Sequence, residues 1–297
     1  MNHCCPDTSG IDTLYPDTPD ARLETADLPI GLFDSGVGGL TVLAAMQQRM
    51  PGEDYLYLGD TARLPYGTKS PETIIKYAVQ AASRLVALRI KLLVVACNTA
   101  TAAALPTLRE VFPDIPVIGV VEPGAHAACQ VSTGGHIAVI ATEATVQGGA
   151  YQEAILRRRP DASVVSRACP LFVPIAEEGL FDGPIVEGIA EYYLVPLLQD
   201  SVTLPDCLVL GCTHYPLLAS AIRKVVGGNI RLVDSAATTA EAVQLCLDEE
   251  GLPHAQQQDR TGVTRFFTTD DIQRFARTGS LFLGTDIREA DVSLIDL

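Results

Sequence analysis

The stretch LLVVACNT at residues 92–99 and the stretch CLVLGCTH at residues 207–214 share one pattern, in which an apolar run ends in a cysteine and polar residues follow at once. A short apolar run bounded by turn-forming residues is typical of a buried strand in a parallel sheet. In both cases a second apolar run ends at the same distance beyond the cysteine, near Gly119 and Asp234. The two stretches therefore indicate an internal repeat.

A second pair of strands supports this repeat. The stretch IGLFDS at residues 30–35 aligns with IAVIAT at residues 137–142, and the two pairs occur in the same order along the chain. Any two buried strands resemble one another to some degree, but two pairs in one order favour a repeat. We expect two similar α/β halves that face one another, each with a thiol at a strand end.

Helical stretches separate the apolar runs, and this alternation predicts parallel, doubly wound sheets. The predicted fold class is α/β, with two pseudo-symmetric doubly wound parallel-sheet domains and the active site in the interdomain cleft, outside the carboxyl ends of the strands. Strands are predicted at residues 29–33, 55–58, 92–96, 117–121, 137–141, 163–166, 207–210 and 230–233, and helices at residues 39–49, 71–88 and 101–112.

The length of 297 residues exceeds the usual size of a single core, which agrees with two domains. Residues 1–27 are rich in Pro, Asp, Thr and Ser without a hydrophobic period, and they are predicted to be a flexible N-terminal extension. The first α/β domain is predicted to comprise residues 28–121 plus 237–297, and the second residues 122–236. The chain crossings between the domains are the predicted hinges.

Charge and composition narrow the class of partner. A formal net charge of −15 without basic clusters argues against a nucleic-acid-binding surface, because phosphate contacts need clustered Lys and Arg. No apolar segment reaches the roughly 18 residues of a membrane span, and the N-terminus lacks a basic and apolar leader. The eight cysteines form no CxxC pair, which argues against a disulfide framework. We expect a cytoplasmic protein with reduced thiols, a small-molecule substrate and no membrane contact.

Two cysteines differ from the rest. Cys97 and Cys212 each follow a predicted strand and precede an expected helix start, where backbone N–H groups and the helix dipole favour the thiolate. Paired thiols suit stereoinversion, in which a base removes a proton from one face of a carbon and an acid delivers a proton to the opposite face. The cysteines expected to be inert core residues are Cys129, Cys169, Cys207 and Cys246.

Hydroxyl and amide side chains occur at the same strand ends and are candidate donors to a substrate carboxylate and to a developing carbanion. The Gly-rich turn at residues 34–39 lacks the spacing of a dinucleotide site and the lysine of a P-loop, so it indicates only that backbone amides approach a ligand. The candidate donors are Ser35, Asn98, Thr99, Thr142, Thr145 and Thr213.

Three further residues are candidate helpers of the thiols. His214, two residues after Cys212, is placed to tune that thiol or to contact substrate, although a lone histidine is more often structural. Asp34 and Glu177 are candidates to polarise the pair, with a solvated helix face as the alternative for Glu177. The histidines and cysteines show no metal-ligand spacing and the few lysines no phosphate-cradling context, so neither a metal nor pyridoxal phosphate is expected.

Several ordered motifs resemble those of the glutamate racemases of bacterial cell-wall synthesis, within the aspartate/glutamate racemase superfamily. The resemblance covers residues 29–285. It rests on FDSGVGGL at residues 33–40, LPYG at 64–67, ACNTA at 96–100, VEPG at 121–124, CPLFVP at 169–174, GCTHYPL at 211–217 and LVDS at 232–235.

This resemblance implies a cofactor-independent racemase that supplies D-glutamate for peptidoglycan and forms a homodimer. Cys97 would handle the proton on the D-glutamate side and Cys212 that on the L-glutamate side, with help from Asp34, His214 and, more weakly, Glu177. The N-terminal extension resembles the leaders of members that a peptidoglycan precursor activates, so such a precursor is a candidate partner. The implied substrate contacts are Asp34, Ser35, Tyr66, Gly67, Asn98, Thr99, Thr142, Thr145, Thr213 and His214.

Two alternatives stay open at this point. One is an aspartate or hydantoin racemase that applies the same paired thiols to another side chain. The other is a non-catalytic protein that keeps the fold and binds an amino acid or a protein partner without turnover. The intact pair of thiols argues against the second alternative, because binding alone needs no paired acid and base.

Overall fold

The computed structural model describes residues 25–199, 203–252 and 260–297. Most of the predicted N-terminal extension, together with Cys4 and Cys5, lies outside the described residues. The described chain begins with a short 3₁₀ helix at Thr25–Asp27, and strands and helices alternate from there. No helix within the described ranges is long and apolar enough to cross a membrane.

The strands form two separate, entirely parallel sheets, which confirms the predicted fold class. The strands are β1 (Ile30–Asp34), β2 (Tyr55–Gly59), β3 (Leu92–Val95), β4 (Val117–Gly119), β5 (His136–Ala141), β6 (Ser163–Ala168), β7 (Cys207–Gly211), β8 (Arg231–Asp234), β9 (Thr264–Thr268) and β10 (Val292–Leu294). The first sheet has the order β10-β9-β2-β1-β3-β4 and the second the order β6-β5-β7-β8.

Helices connect the strands and cover the sheets. They are α1 (Leu40–Arg49), α2 (Pro71–Ala87), α3 (Asn98–Val111), α4 (Val121–Val131), α5 (Glu143–Gln147), α6 (Ala150–Arg158), α7 (Phe172–Glu177), α8 (Pro184–Gln199), α9 (Ala219–Val226), α10 (Ser235–Glu250) and α11 (Ile272–Leu283). Short 3₁₀ helices lie at Thr61–Arg63, Tyr66–Thr68, Tyr215–Leu218 and Glu289–Asp291.

The repeat extends to the pairing of the strands. The order β2-β1-β3-β4 in the first sheet corresponds to β6-β5-β7-β8 in the second. Ile30 of β1 lies opposite Leu92 of β3, and their counterparts Ile137 of β5 and Cys207 of β7 lie opposite one another as well. Because register sets where each strand ends, Cys97 and Cys212 emerge at corresponding places.

One apolar cluster joins the two sheets. It contains Leu32 of β1, Leu43 of α1, Ile140 of β5 and Val243 of α10, all fully buried. Helices α1 and α10 pack directly against one another. Truncating a buried leucine of this kind costs about 2–5 kcal/mol, so the cluster holds the sheets together independently of the chain crossings.

For two of the boundaries that differ from the prediction, the structure shows the cause. Helix α3 begins at Asn98 instead of residue 101, because Cys97 caps it by accepting a hydrogen bond from the amide of Ala100. The predicted strand at residues 117–121 ends at Gly119, and helix α4 starts at Val121, where the β-branched pair Val120 and Val121 suggested a strand. The boundary turns helical because α4 packs its small buried residues on α6 and β7.

The C-terminal part of the chain returns to the first sheet. Strands β9 and β10 were not predicted, and they extend the sheet beyond β2, with Tyr55 opposite Thr264. Strand β10 is a three-residue edge strand with only Val292 buried, so it carries little hydrophobic signal. The predicted division into domains stays a prediction, and its boundary at residues 236 and 237 falls inside α10.

Candidate active site

The carboxyl ends of the two sheets face one another. The hydroxyl of Thr41 in α1 donates to the carbonyl oxygen of Gly38 at 2.9 Å, and it also lies 3.0 Å from the carbonyl oxygen of Thr213, which follows β7. A methyl group on Gly38 would collide with Thr213 Oγ1 and with the ring of His214. The loop after β1 therefore lies directly against the loop after β7, which agrees with the rule that ligand sites form at strand ends.

Cys97 occupies the N-terminus of α3. Its Sγ accepts a hydrogen bond from the amide of Ala100 at 3.4 Å and lies 3.6 Å from Ser35 Oγ. Burial raises the pKa of Cys97 to about 12, the charges of Asp34 and Cys212 add to this rise, and the contacts with Ala100 and Ser35 oppose it. The amide of Ala100 at the helix start favours the thiolate, as expected, but burial and the charge of Asp34 outweigh it.

Asp34 ends β1 and is almost completely buried. Its Oδ2 accepts a hydrogen bond from the amide of Gly36 at 2.9 Å. Burial raises the pKa of Asp34, while the charge of His214 and the amides of Ser35, Gly36 and Gly39 lower it. A carboxyl group with a raised pKa beside a thiol is suited to exchange a proton with it near neutral pH.

Cys212 belongs to a chain of polar side chains. Its Sγ lies 3.8 Å from His214 Nδ1, and His214 Nε2 lies 3.1 Å from Glu177 Oε1. Burial opposes the charge on His214, but the hydrogen bonds with Cys212 and Glu177 raise its pKa to about 10. Burial also opposes the charge on Glu177, whose pKa is nevertheless lowered by His214 and Arg274. The alternative that Glu177 lies on a solvated helix face is wrong, because its side chain is largely buried against His214.

Three threonine hydroxyls form a closed triangle between the sheets. Thr99 follows β3, and Thr142 and Thr145 follow β5. The Oγ1 atoms are 2.9 Å apart for Thr99 and Thr142, 3.1 Å for Thr99 and Thr145, and 2.9 Å for Thr142 and Thr145. Gly67 approaches the triangle so closely that an added Cβ would lie 2.8 Å from the Cβ of Thr142. Hydroxyls can donate as well as accept, so this triangle suits a carboxylate ligand.

Asn98 adds a donor at the start of α3. Its Oδ1 accepts a hydrogen bond from the hydroxyl of Tyr151 at 2.7 Å, and its buried Nδ2 has no hydrogen-bond partner among the described residues. A buried amide group without a partner is costly, which is typical of a group that awaits a ligand. Tyr151 was not predicted, because its helix α6 carries no motif and contacts Asn98 only through the fold.

The remaining candidates lie at the margin of this group. Tyr66 is buried, and its hydroxyl donates to Asp60 Oδ2 at 2.6 Å, so that hydroxyl is already engaged.

Cys169 and Cys207 are buried, and burial raises the pKa of each to about 12, as expected of inert core thiols. Within the described ranges, no group of three or more His, Cys, Asp or Glu side chains is arranged to hold a metal ion.

Comparisons with known proteins agree with this geometry. A family model described as Asp/Glu/Hydantoin racemase matches residues 38–243. A glutamate racemase of Geobacter metallireducens is 50% identical over 255 residues, which cover 86% of this chain and 92% of that relative.

Solved structures are similar over the same range. The glutamate racemase of Francisella tularensis subsp. tularensis SCHU S4 in complex with D-glutamate has a TM-score of 0.83 and 35% identity, covering 91% of this chain and 98% of that one. The Escherichia coli glutamate racemase in complex with L-glutamate and the activator UDP-MurNAc-Ala has a TM-score of 0.69 and 31% identity, covering 86% of this chain and 94% of that one.

By these relatives the chain is a racemase, and it belongs to the Asp/Glu/hydantoin racemase family. Within this family, glutamate racemases match most of the chain at 50%, 44% and 35% identity, which confirms the resemblance drawn from the motifs.

Proposed function

We propose that this racemase interconverts L- and D-glutamate by a 1,1-proton transfer in which Cys97 and Cys212 are the paired acid and base. The observation that carries the proposal is the placement of the two thiols. They lie at corresponding ends of β3 and β7, and both are buried. They are also close enough for a charge on Cys212 to raise the pKa of Cys97. The choice of glutamate is supported by the relatives, whose described activity is on this amino acid.

In this mechanism the direction of reaction decides which thiol acts as base. For D-glutamate, the Cys97 thiolate takes the Cα proton, and the Cys212 thiol delivers its proton to the opposite face. For L-glutamate, Cys212 takes the proton and Cys97 delivers one. The raised pKa of Cys97 suits its role as acid in the second direction.

Each thiol has a neighbouring group that can return it to its starting protonation state after a turnover. Asp34, whose pKa is raised by burial, can accept a proton from Cys97 or return it. His214, whose pKa is about 10 because its hydrogen bonds with Cys212 and Glu177 outweigh burial, can donate a proton to Cys212 or take it back. These exchanges bring each thiol to the protonation state that its direction requires.

The carbanion between the two transfers needs stabilising donors. The Nδ2 group of Asn98 and the amides at the start of α3 are suited to one carboxylate of the substrate, and the threonine triangle is suited to the other. Such preorganised donors stabilise developing charge most strongly where water is excluded. We assign the predicted hinges at the two chain crossings to a closure that excludes water during the transfer.

Deuterium incorporation at Cα, followed by NMR in D₂O without added cofactor, tests the proposal. Wild type should invert and exchange both glutamate enantiomers. Cys97→Ser and Cys212→Ser should lose inversion, and any residual exchange should be confined to the enantiomer that faces the remaining thiol. If wild type neither exchanges nor inverts glutamate, the substrate assignment is wrong, and aspartate and hydantoins are the next substrates to assay. Binding of glutamate without exchange would favour the non-catalytic alternative.

The cellular role follows from the same activity. We propose that the chain works in the cytoplasm as a homodimer and supplies D-glutamate for peptidoglycan.

A peptidoglycan precursor is the proposed activator, because the Escherichia coli relative was solved with the activator UDP-MurNAc-Ala. Kinetic assays with and without UDP-MurNAc-Ala, on the full chain and on a chain lacking residues 1–27, test the activator, and sedimentation velocity tests the dimer. If kcat/KM is the same with and without saturating UDP-MurNAc-Ala, the proposal that this precursor activates the enzyme is wrong.

A further inference from the structure

Helix α11 covers the outer end of the polar chain that begins at Cys212. Arg274 Nη2 of α11 lies 3.7 Å from Glu177 Oε2, and the ring of Phe282, also in α11, stands edge-on to the ring of His214, with centroids 5.0 Å apart and an interplanar angle of 76°. Helix α11 follows β9 of the first sheet, whereas Glu177 and His214 follow strands of the second. One helix of the C-terminal return therefore contacts both members of the chain behind Cys212.

We propose that Arg274 is a positioning residue for proton transfer at Cys212. Its guanidinium keeps Glu177 ionised and directed at His214 Nε2, so that the opposite ring nitrogen of His214 stays presented to Cys212. The inference rests on the proposed two-thiol mechanism and assigns within it a residue that touches neither substrate nor thiol.

The geometry at Glu177 supports this role. Each carboxylate oxygen faces a different cation, since Oε1 is 3.1 Å from His214 and Oε2 is 3.7 Å from Arg274. The attraction of Arg274 for the second oxygen opposes rotation of the carboxylate away from the imidazole. The side chain of Glu177 is largely buried, and burial favours its neutral form. Loss of one of the two cations would therefore weaken the hydrogen bond that fixes the ring of His214.

The expected effect is modest because Arg274 is exposed and water screens its charge. Charge pairs of this kind have a small influence, so we expect Arg274→Gln to lower kcat/KM about two- to fivefold. A rate change of that size has many causes. The location of the defect must therefore be measured separately.

Primary deuterium isotope effects show which of the two proton transfers, at Cys97 or at Cys212, the substitution impairs. The two enantiomers are equally stable, so kcat/KM must fall equally in both directions whichever thiol is impaired. If transfer at Cys212 becomes the slower step, the primary deuterium isotope effect on kcat/KM for Cα-deuterated L-glutamate rises, and that for Cα-deuterated D-glutamate falls. Arg274→Gln should give this opposite shift, and Arg274→Lys should restore the wild-type pattern because it keeps the charge.

Arg277 provides a matched control. It lies one turn further along α11, is exposed, and forms no ion pair with another described residue. Arg277→Gln should leave both isotope effects unchanged. Unchanged isotope effects in Arg274→Gln, or a parallel shift for both enantiomers, would overturn the positioning role.

Failure of the proposed function looks different from failure of this inference. If wild type does not racemise glutamate, the proposed function fails before any variant is compared. If Arg274→Gln shifts the isotope effects in the reverse sense while Arg274→Lys restores them, the positioning role stands and the assignment of Cys212 to L-glutamate is wrong.

Discussion

The surroundings of Cys97 and those of Cys212 differ in charge although the two sheets present the thiols alike. Cys97 lies beside a buried carboxyl group, Asp34, at the start of the long helix α3. Cys212 lies beside an imidazole, His214, that is backed by Glu177 and Arg274. The repeat thus supplies symmetric positions, whereas the neighbouring side chains give one thiol an acidic partner and the other a basic one.

The largest expected effects come from neutralising these partners. Asp34→Asn and His214→Asn should each lower kcat/KM by about 10²–10⁴-fold, the range for loss of a proton-transfer group. The primary isotope effect should rise for D-glutamate in Asp34→Asn and for L-glutamate in His214→Asn. Steady-state assays with Cα-deuterated enantiomers measure both quantities. A shift toward the same enantiomer in the two variants would contradict the division of labour between the two faces.

A smaller effect is expected from a substitution that adds bulk only on the Cys212 side of the site. In Gly38→Ala the new methyl group meets Thr213 Oγ1 and the ring of His214. Overpacking of this kind costs about 1–3 kcal/mol in stability and should displace His214 from Cys212. Thermal unfolding measures the loss of stability as a lower Tm, and the isotope effects for the two enantiomers measure the displacement of His214.

Gly228→Ala is the control for crowding, because nothing lies within 4 Å of an added Cβ there. It should keep the Tm and both isotope effects of wild type. An unchanged Tm in Gly38→Ala would mean that the loop after β1 moves freely away from the loop after β7.

A third variant tests a donor on the Cys97 face. Tyr151→Phe removes the hydrogen bond to Asn98 Oδ1, which leaves the side chain of Asn98 less well oriented. A hydrogen bond of this kind contributes about 0.5–1.5 kcal/mol, so KM should rise about two- to tenfold with a smaller change in kcat. Tyr192→Phe, at an exposed position in α8, is the control. Loss of kcat at constant KM would show that Tyr151 acts in another way.

The last prediction concerns the pH dependence of stability instead of activity. Burial lowers the pKa of His214 and its hydrogen bonds with Cys212 and Glu177 raise it, with a net rise from 6.5 to about 10. A histidine with a raised pKa in the folded state adds stability that is complete below its unfolded pKa and is lost as the pH rises through its folded pKa. The advantage of wild type over His214→Asn in free energy of unfolding should therefore shrink between about pH 6.5 and about pH 10.

Urea unfolding over this pH range measures that advantage. His126→Asn, at an exposed position, should show no comparable trend. A constant difference between wild type and His214→Asn across the range would mean that His214 is not protonated in the folded state.

The sequence was most informative where the signal is local. The runs that end at Cys97 and Cys212 combine strand pattern, polar turn and thiol within a few residues, so both strands, their repeat and the place of the thiols could be predicted. The same holds for Asp34 and the threonines after β5, which follow strands directly.

Other features depend on contacts between distant segments. Arg274 and Tyr151 meet the site only after α11 and α6 have packed, and neither lies in a motif. The pKa of Cys97 could not be predicted either, because the helix start is visible in the sequence, whereas the extent of burial and the approach of Asp34 are set by the fold.

The return of β9 to the edge of β2 has a consequence for synthesis of the chain. Tyr55 in β2 pairs with Thr264 in β9, whereas the strands of the second sheet lie within residues 136–234. A ribosome therefore releases the whole second sheet while the outer edge of β2 still lacks its partner. Unpaired strand edges promote aggregation, so nascent chains should be most vulnerable in this interval. The sheet whose strands emerge first is the one that is completed last.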